Sequence, residues 1–274
     1  EEHKEHLDKV FERMKEQSLY AHPEKVELFR TEMTYLGYGL NAKGVYITDE
    51  SKEAISNWDI PKPNATNKKG NRRPNPDGKT AIRTFLGMAS FFRRFIPKLA
   101  ERAKPISDML DPDTPFDWGE KQQAAFDDIK RCLLSDMVLQ TPDPSKKFYI
   151  YPDASLVGVG AILMQVDVAD PEGKRLKACA FMSKKLNATE FKWGTYEKEL
   201  WAMILSLMKW KHYIVASPVE IRTDHQSLKW FKSQGKLTDK VIRWLDFMSE
   251  FDYSIVHIPR DLNVVADAFS CLLY

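Results

Sequence analysis

Beyond Thr141-Pro-Asp-Pro-Ser145 the sequence reads as three short strands, a long helix, and then strands and helices in alternation. That order limits the fold more than any other feature. It predicts an α/β domain built on one mixed sheet with helices packed against it. Strands are expected at residues 147–151, 158–165, 177–182, 219–224 and 253–258. Between the third and fourth, residues 195–213 present Tyr196, Leu200, Met203, Ile204, Leu207 and Met208 at helical spacing. Further helices are expected over 226–231, over 238–250 and from 264 to 272.

The upstream half has another texture. Leu7, Val10, Phe11 and Met14 mark an amphipathic helix expected to dock on something larger. Residues 33–40 read as a strand, and Asn41-Ala-Lys-Gly44 turns it back on Val45-Tyr-Ile47 as a hairpin. A short helix is expected over 49–58. A second, over 79–96, carries Ile82, Phe85, Ala89 and Phe92 on one stripe, with Arg83, Arg93 and Arg94 beside it. A third, over 120–134, repeats Phe126, Ile129 and Leu133. Residues 61–78 are rich in Pro, Gly and Asn and nearly lack apolar side chains, so a basic loop outside any core is expected there. The polar break at 141–145 is the preferred domain boundary.

Charge is unevenly spread. The net charge is +2, yet residues 61–104 hold twelve Lys or Arg against Asp77 and Glu101, a block of +10 that leaves −8 for the rest. Such a block beside acidic surroundings is the footprint of a phosphate-backbone partner, with a solvated charge run as the plain alternative. No apolar run reaches the roughly 18 residues that a membrane span needs, so no membrane partner is expected. Cys132, Cys179 and Cys271 lie far apart and odd in number, which fits neither a disulfide framework nor a zinc site and points to a reducing interior.

Four acids stand where acids are unexpected. Asp153 closes the first strand of the C-terminal half and Asp224 the fourth. Glu199 flanks the apolar stripe of the long helix, one residue from Leu200 and four from Met203, so it should face the sheet. Asp267 lies near the start of the last helix, after Asn263 as a plausible N-cap. Each alone reads as a turn, cap or flank residue. Together, acids pressed against a core repel and lose hydration, which is tolerable when divalent cations neutralise them.

Those acids carry a family resemblance. Asp153-Ala-Ser155 with Gly158-Val-Gly-Ala-Ile-Leu, Tyr196-Glu-Lys-Glu199-Leu-Trp-Ala, Thr223-Asp224-His225-Gln-Ser-Leu and Asn263-Val-Val-Ala-Asp267-Ala resemble the RNase H motifs of Ty3/gypsy-type LTR retrotransposon polyproteins. Tyr35-Leu36-Gly37-Tyr38 is similar to the primer-grip hairpin of the reverse-transcriptase palm. Thr84-Phe-Leu-Gly-Met-Ala-Ser-Phe-Phe-Arg-Arg-Phe-Ile96 is similar to the thumb helix, and Phe116-Asp-Trp118 with Ala125-Phe126 to the connection.

The resemblance implies an end of palm at 1–48, thumb helices with an inserted basic loop at 49–111, a connection at 112–145 and an RNase H domain at 146–274. The domain would have an RNase H-like five-stranded mixed sheet flanked by helices, preceded by α+β palm and thumb elements. It implies a nuclease that cuts the RNA strand of RNA–DNA hybrids through two Mg²⁺ ions, with Mn²⁺ as a substitute, held by Asp153, Glu199, Asp224 and Asp267. The products would carry a 3′-hydroxyl and a 5′-phosphate. Contacts to a hybrid or template-primer duplex are expected from Leu36, Gly37, Tyr38, Lys79, Arg83, Gly87, Arg93, Arg94, Lys236, Lys240 and Arg243. The rest of a reverse transcriptase (palm and fingers) and a homo- or heterodimer are the implied partners, in cytoplasmic virus-like particles or the nucleus. The sequence lacks the Tyr-x-Asp-Asp motif, so it is not expected to polymerise DNA, and it lacks an initiator Met, as expected of a processed polyprotein product or a cropped piece of one. Four departures stand out: Pro152 in a central strand, the inserted loop at 64–78, Cys271 in place of an Arg, and His257 within a strand rather than a catalytic loop. The alternative is a degenerate RNase H-like module that dimerises or binds nucleic acid without cutting.

Overall fold

The computed structural model describes residues 2–62, 78–225 and 238–259. The chain divides into two compact units, Glu1–Met33 and Thr34–Tyr274. In the first, helix α1 (Glu2–Glu16) has acids in its first turn and Arg13 and Lys15 in its last, an arrangement that complements the helix dipole. None of its residues is buried within that unit.

Strand β1 (Glu32–Tyr35) is followed by β2 (Tyr38–Asn41) and β3 (Gly44–Ile47). The single strand expected over 33–40 is therefore broken. Leu36 and Gly37 take φ values of 49° and 78°, a left-handed pair that turns the chain tightly. β2 and β3 form the expected hairpin, with Tyr38 opposite Ile47 and Asn41 opposite Gly44. Gly44 is required there. Val45 N–H donates to Leu139 O and Leu139 N–H to Val45 O, both at 2.8 Å. A Cβ on residue 44 would lie 2.0 Å from that Leu139 oxygen, at a φ of 133°. Gly44→Ala should cost at least about 2 kcal/mol, read as a lower midpoint of urea unfolding.

Helix α2 (Asp49–Ser56) is capped by Thr48, whose hydroxyl accepts the Ser51 N–H at 3.3 Å. Helix α3 (Lys79–Phe91) ends five residues earlier than its periodicity suggests. Arg93 and Arg94 lie instead in a 3₁₀ turn, Arg93–Phe95, which tucks Phe95 into the core. Short helices α4 (Leu99–Arg102) and α5 (Lys104–Ser107) lead to α6 (Glu120–Leu134). Ile82, Phe85 and Ala89 of α3 meet Phe126, Ile129 and Leu133 of α6, with the Phe85 and Phe126 rings 4.6 Å apart.

The remaining described elements are β4 (Phe148–Ala154), β5 (Gly158–Val166), β6 (Leu176–Lys185), α7 (Ala188–Phe191), α8 (Thr195–Ile214), β7 (Val219–Thr223), α9 (Asp239–Met248) and β8 (Tyr253–His257). They build the mixed five-stranded sheet the sequence predicts, in the order β6-β5-β4-β7-β8. β4 pairs antiparallel with β5 and parallel with β7; β5–β6 is antiparallel and β7–β8 parallel. The helix expected over 226–231 and the one from 264 lie outside the described residues.

Both sheet faces are covered. Leu200, Met203, Ile204, Leu207 and Trp210 of α8, with Val241 and Met248 of α9, pack on Phe148, Ile150, Leu163 and Ile221. On the other face Tyr151, Ile162, Met164 and Phe181 join the upstream core of α3 and α6. This explains why β5 reads as an unbroken apolar run rather than an alternating one. Packing also runs across the polar break at 141–145. Gln140 N–H donates to Ala178 O, Asp143 N–H to Gln165 Oε1 and Gln165 Nε2 to Asp143 O, each at 2.8 Å. Among the described residues Cys132 and Cys179 are free thiols, and no helix is long and apolar enough to cross a membrane.

Candidate active site at the ends of two parallel strands

Parallel strands end on the same side of a sheet, so side chains just past their C-termini converge. β4 and β7 pair from Phe148↔Val219 to Ile150↔Ile221. Carried past Ile150, that register sets Asp153 level with Asp224, which directly follows β7. Pro152 is accommodated by the same geometry. Ser155 N–H donates to Gly158 O at 2.8 Å, so Asp153 and Tyr151 make the alternate bonds to β5. The Pro152 nitrogen therefore faces the β7 side, and the β4–β7 pairing stops just before it, after Ile150↔Ile221.

Glu199 reaches this corner from α8. The helix starts at Thr195, so Glu199 lies in its second turn, on the flank that packs on the sheet, and is only 6% exposed. Its carboxylate accepts the Ala154 N–H, while Oε2 is buried without a partner among the described residues. Burial, then the negative charges of Asp153 and Asp224, push its pKa up to about 8; the Ala154 N–H and the Lys98 charge pull the other way. A buried carboxylate crowded by two others is an arrangement that a cation relieves.

The surroundings are specific. Thr223 is buried, and its hydroxyl accepts the His225 N–H at 3.1 Å, turning the chain out of the sheet at Asp224. His257 ends β8, opposite Thr223, with Nε2 3.2 Å from the Asp224 backbone oxygen. It is a strand residue turned toward main chain. Lys98 Nζ lies 2.7 Å from Asp153 Oδ2. Asp267, Lys236 and Cys271 lie outside the described residues. Among the described residues no group of three or more His, Cys, Asp or Glu side chains is arranged to hold a metal ion. Asp153 and Asp224 lie near enough for their charges to act on Glu199, and that is as far as the described residues bring the expected set together.

The expected nucleic-acid contacts divide into two groups. Leu36, in the turn between β1 and β2, is exposed, as are Arg83, Arg93 and Arg243. Among the described residues nothing comes within 4 Å of the place of a Cβ on Gly87, and the residue is exposed. Gly37 sits over the Phe91 ring, 3.5 Å from the place of a Cβ. Tyr38 is turned inward: its hydroxyl donates to Phe91 O at 2.6 Å and its ring stacks on Phe91 at 5.2 Å. Lys79 is buried, with its amine donating to Asp111 O and Pro112 O at 2.7 and 3.1 Å. Arg94 reaches Cys179 O at 3.4 Å and lies over the Tyr38 ring. Lys240 is clasped by Glu197 at 2.6 Å and the Trp193 ring at 3.8 Å. The sequence pattern did not separate these inward cations from exposed ones. It also passed over Lys98, since nothing local announces a Lys with left-handed backbone.

Comparison with known proteins agrees with this architecture. Residues 143–251 match the RNase H-like domain found in reverse transcriptase. The chain is similar to the Transposon Tf2-3 and Tf2-4 polyproteins of Schizosaccharomyces pombe (strain 972 / ATCC 24843), 30% identical over 278 residues, 98% of this chain. It spans about a fifth of their length, 19%. It also shares its fold with the foamy viral protease-reverse transcriptase. The structure of that protein in complex with RNA/DNA hybrid gives a TM-score of 0.70 at 22% identity, covering 94% of this chain and 33% of that one. The structure in complex with dsDNA gives 0.68 at 22%, covering 94% and 51%.

Proposed function

This chain belongs to the Ty3/gypsy-type LTR retrotransposon polyproteins, its residues 143–251 being their RNase H-like domain, and on that premise we propose that it hydrolyses the RNA strand of RNA–DNA hybrids with divalent cations. One observation carries the reading: the buried, partnerless Oε2 of Glu199 in a corner shared with Asp153 and Asp224. That donor set of hard carboxylate oxygens suits Mg²⁺, or Mn²⁺ in its place. Asp153, Glu199 and Asp224 would hold the cations, with Asp267 as a fourth ligand. Two bound ions would lower the pKa of an attacking water and neutralise charge on the leaving 3′-oxygen. The chain's own part is positioning. The Ala154 N–H fixes one edge of the Glu199 carboxylate and leaves the other oxygen aimed at the site. The parallel pairing of β4 with β7 brings the two strands side by side up to Ile150 and Ile221, so that Asp153 and Asp224 follow on the same side of the sheet.

Arg83, Arg93 and Arg243, with the main chain of Gly87 and the exposed β1–β2 turn at Leu36 and Gly37, are proposed to follow the phosphates of an A-form-like duplex. Lys79, Arg94, Tyr38 and Lys240 serve the fold around them. Palm and fingers of a reverse transcriptase, in a dimer or a larger assembly within virus-like particles, are the proposed surroundings.

The direct test is an end-labelled RNA–DNA hybrid with and without Mg²⁺. Cleavage is expected with metal and none with EDTA, while the far-ultraviolet circular dichroism at pH 7 stays unchanged. Binding without metal-dependent cleavage would replace this reading with the degenerate module. Hybrid affinity should also fall steeply with salt, and Arg83→Ala and Arg93→Ala should each reduce the log–log slope by about 1. A slope unchanged in both variants would remove that face from the interface.

A further inference from the structure

Lys98 belongs to the upstream half of the chain, yet its amine lies in the acidic corner. It immediately precedes α4 with φ at 50°, a left-handed conformation that residues with side chains rarely adopt. Such strain persists only where the surroundings impose it. Here the imposing contacts are visible. Ala100 N–H donates to Ser183 Oγ of β6 at 2.9 Å, and the Ala100 methyl packs 3.4 Å from the place of a Cβ on Gly158 of β5. α4 is thereby pinned to the end of the sheet that carries Asp153.

From that anchor the Lys98 ammonium reaches Asp153 Oδ2 at 2.7 Å. The pair is partly open to water, with 41% of the Lys98 side chain and 32% of the Asp153 side chain exposed. An ammonium in such a setting leaves its partner at small cost. While in place it supplies positive charge where three carboxylates otherwise repel one another. A divalent cation taken up by Asp153 competes for the same oxygen, and two positive charges so close repel.

We infer that Lys98 is a positioning residue that stands in for a cation at Asp153, so that α4 sets the divalent-cation concentration at which the nuclease site loads. This rests on the metal-dependent reading above. The competition is chemical and reversible: no bond is made or broken, and the ammonium swings into solvent as the cation takes its place.

Mn²⁺ binding to the full chain, followed calorimetrically at low salt without nucleic acid, tests it. Lys98→Gln should bind Mn²⁺ about tenfold more tightly than the parent, the direction that removal of a neighbouring positive charge demands. Lys98→Arg, which keeps the charge and grips a carboxylate with two donors, should bind no more tightly than the parent. Asp153→Asn serves as the control for the site and should bind more weakly. If Lys98→Gln binds no better than the parent, or Lys98→Arg binds better, while Asp153→Asn still weakens binding, the role of Lys98 is overturned and the nuclease reading stands. If parent and Asp153→Asn take up Mn²⁺ alike, the metal reading fails and this inference falls with it.

Discussion

Asp153→Asn is expected to leave hybrid binding at least as tight as in the parent while slowing cleavage more than about 100-fold. Asn keeps the shape of Asp and removes the charge, so β4 and its pairing to β5 should be undisturbed. Residues that merely orient metal ligands already cost about 10–100-fold when replaced, and a ligand itself should exceed that. Binding should not suffer, because a carboxylate next to phosphates repels them and because duplex affinity comes from cations elsewhere. Single-turnover cleavage at saturating protein separates the two effects. Asp224→Asn, on the neighbouring parallel strand, should behave likewise. A variant at either position that cut at the parent's rate would remove that aspartate from the chemistry.

Glu199 makes the second large prediction, one of stability rather than rate. Its carboxyl in the metal-free fold titrates at about 8, against 4.5 for an ordinary Glu. The native state therefore holds a proton that the unfolded chain has released. The contribution is fully present below about pH 4.5 and is lost as pH rises through about 8. At roughly 1.4 kcal/mol for each pH unit between those values, the loss is on the order of a few kcal/mol. Glu199→Gln has no proton to lose. In EDTA, the parent and Glu199→Gln should be about equally stable at pH 4.5, and the parent should be markedly weaker at pH 9. Chemical denaturation across that range reads the difference. Mg²⁺ should restore the parent at pH 9 and do far less for Glu199→Gln. A parent whose stability in EDTA did not fall between pH 5 and 9 relative to Glu199→Gln would show that Glu199 is not pressed among the other acids.

Much of the fold was legible because its signals are local. The run Gly158-Val-Gly-Ala-Ile-Leu-Met read as a strand, and the stripe Leu200, Met203, Ile204, Leu207 as a helix, from neighbouring residues alone. Local signals also misled where backbone conformation rather than hydrophobicity decides. The left-handed pair at Leu36 and Gly37 divided an expected strand, and the 3₁₀ turn at Arg93 cut α3 short. Lys79 and Arg94 resembled any surface cation until the packing showed their donors turned toward backbone carbonyls.

What the sequence determined by itself was the set of elements and the acids that sit oddly upon them, because side-chain periodicity and the cost of charge near a core are properties of neighbours along the chain. Which acids meet was decided only by tertiary structure. The parallel pairing of β4 with β7 sends Asp153 and Asp224 off the same side of the sheet, and the docking of α8 buries Glu199 within reach of both charges. The anchoring of α4 on β6 carries Lys98 to the same corner. Registers and dockings of that kind join residues far apart in the chain, and no local pattern encodes them.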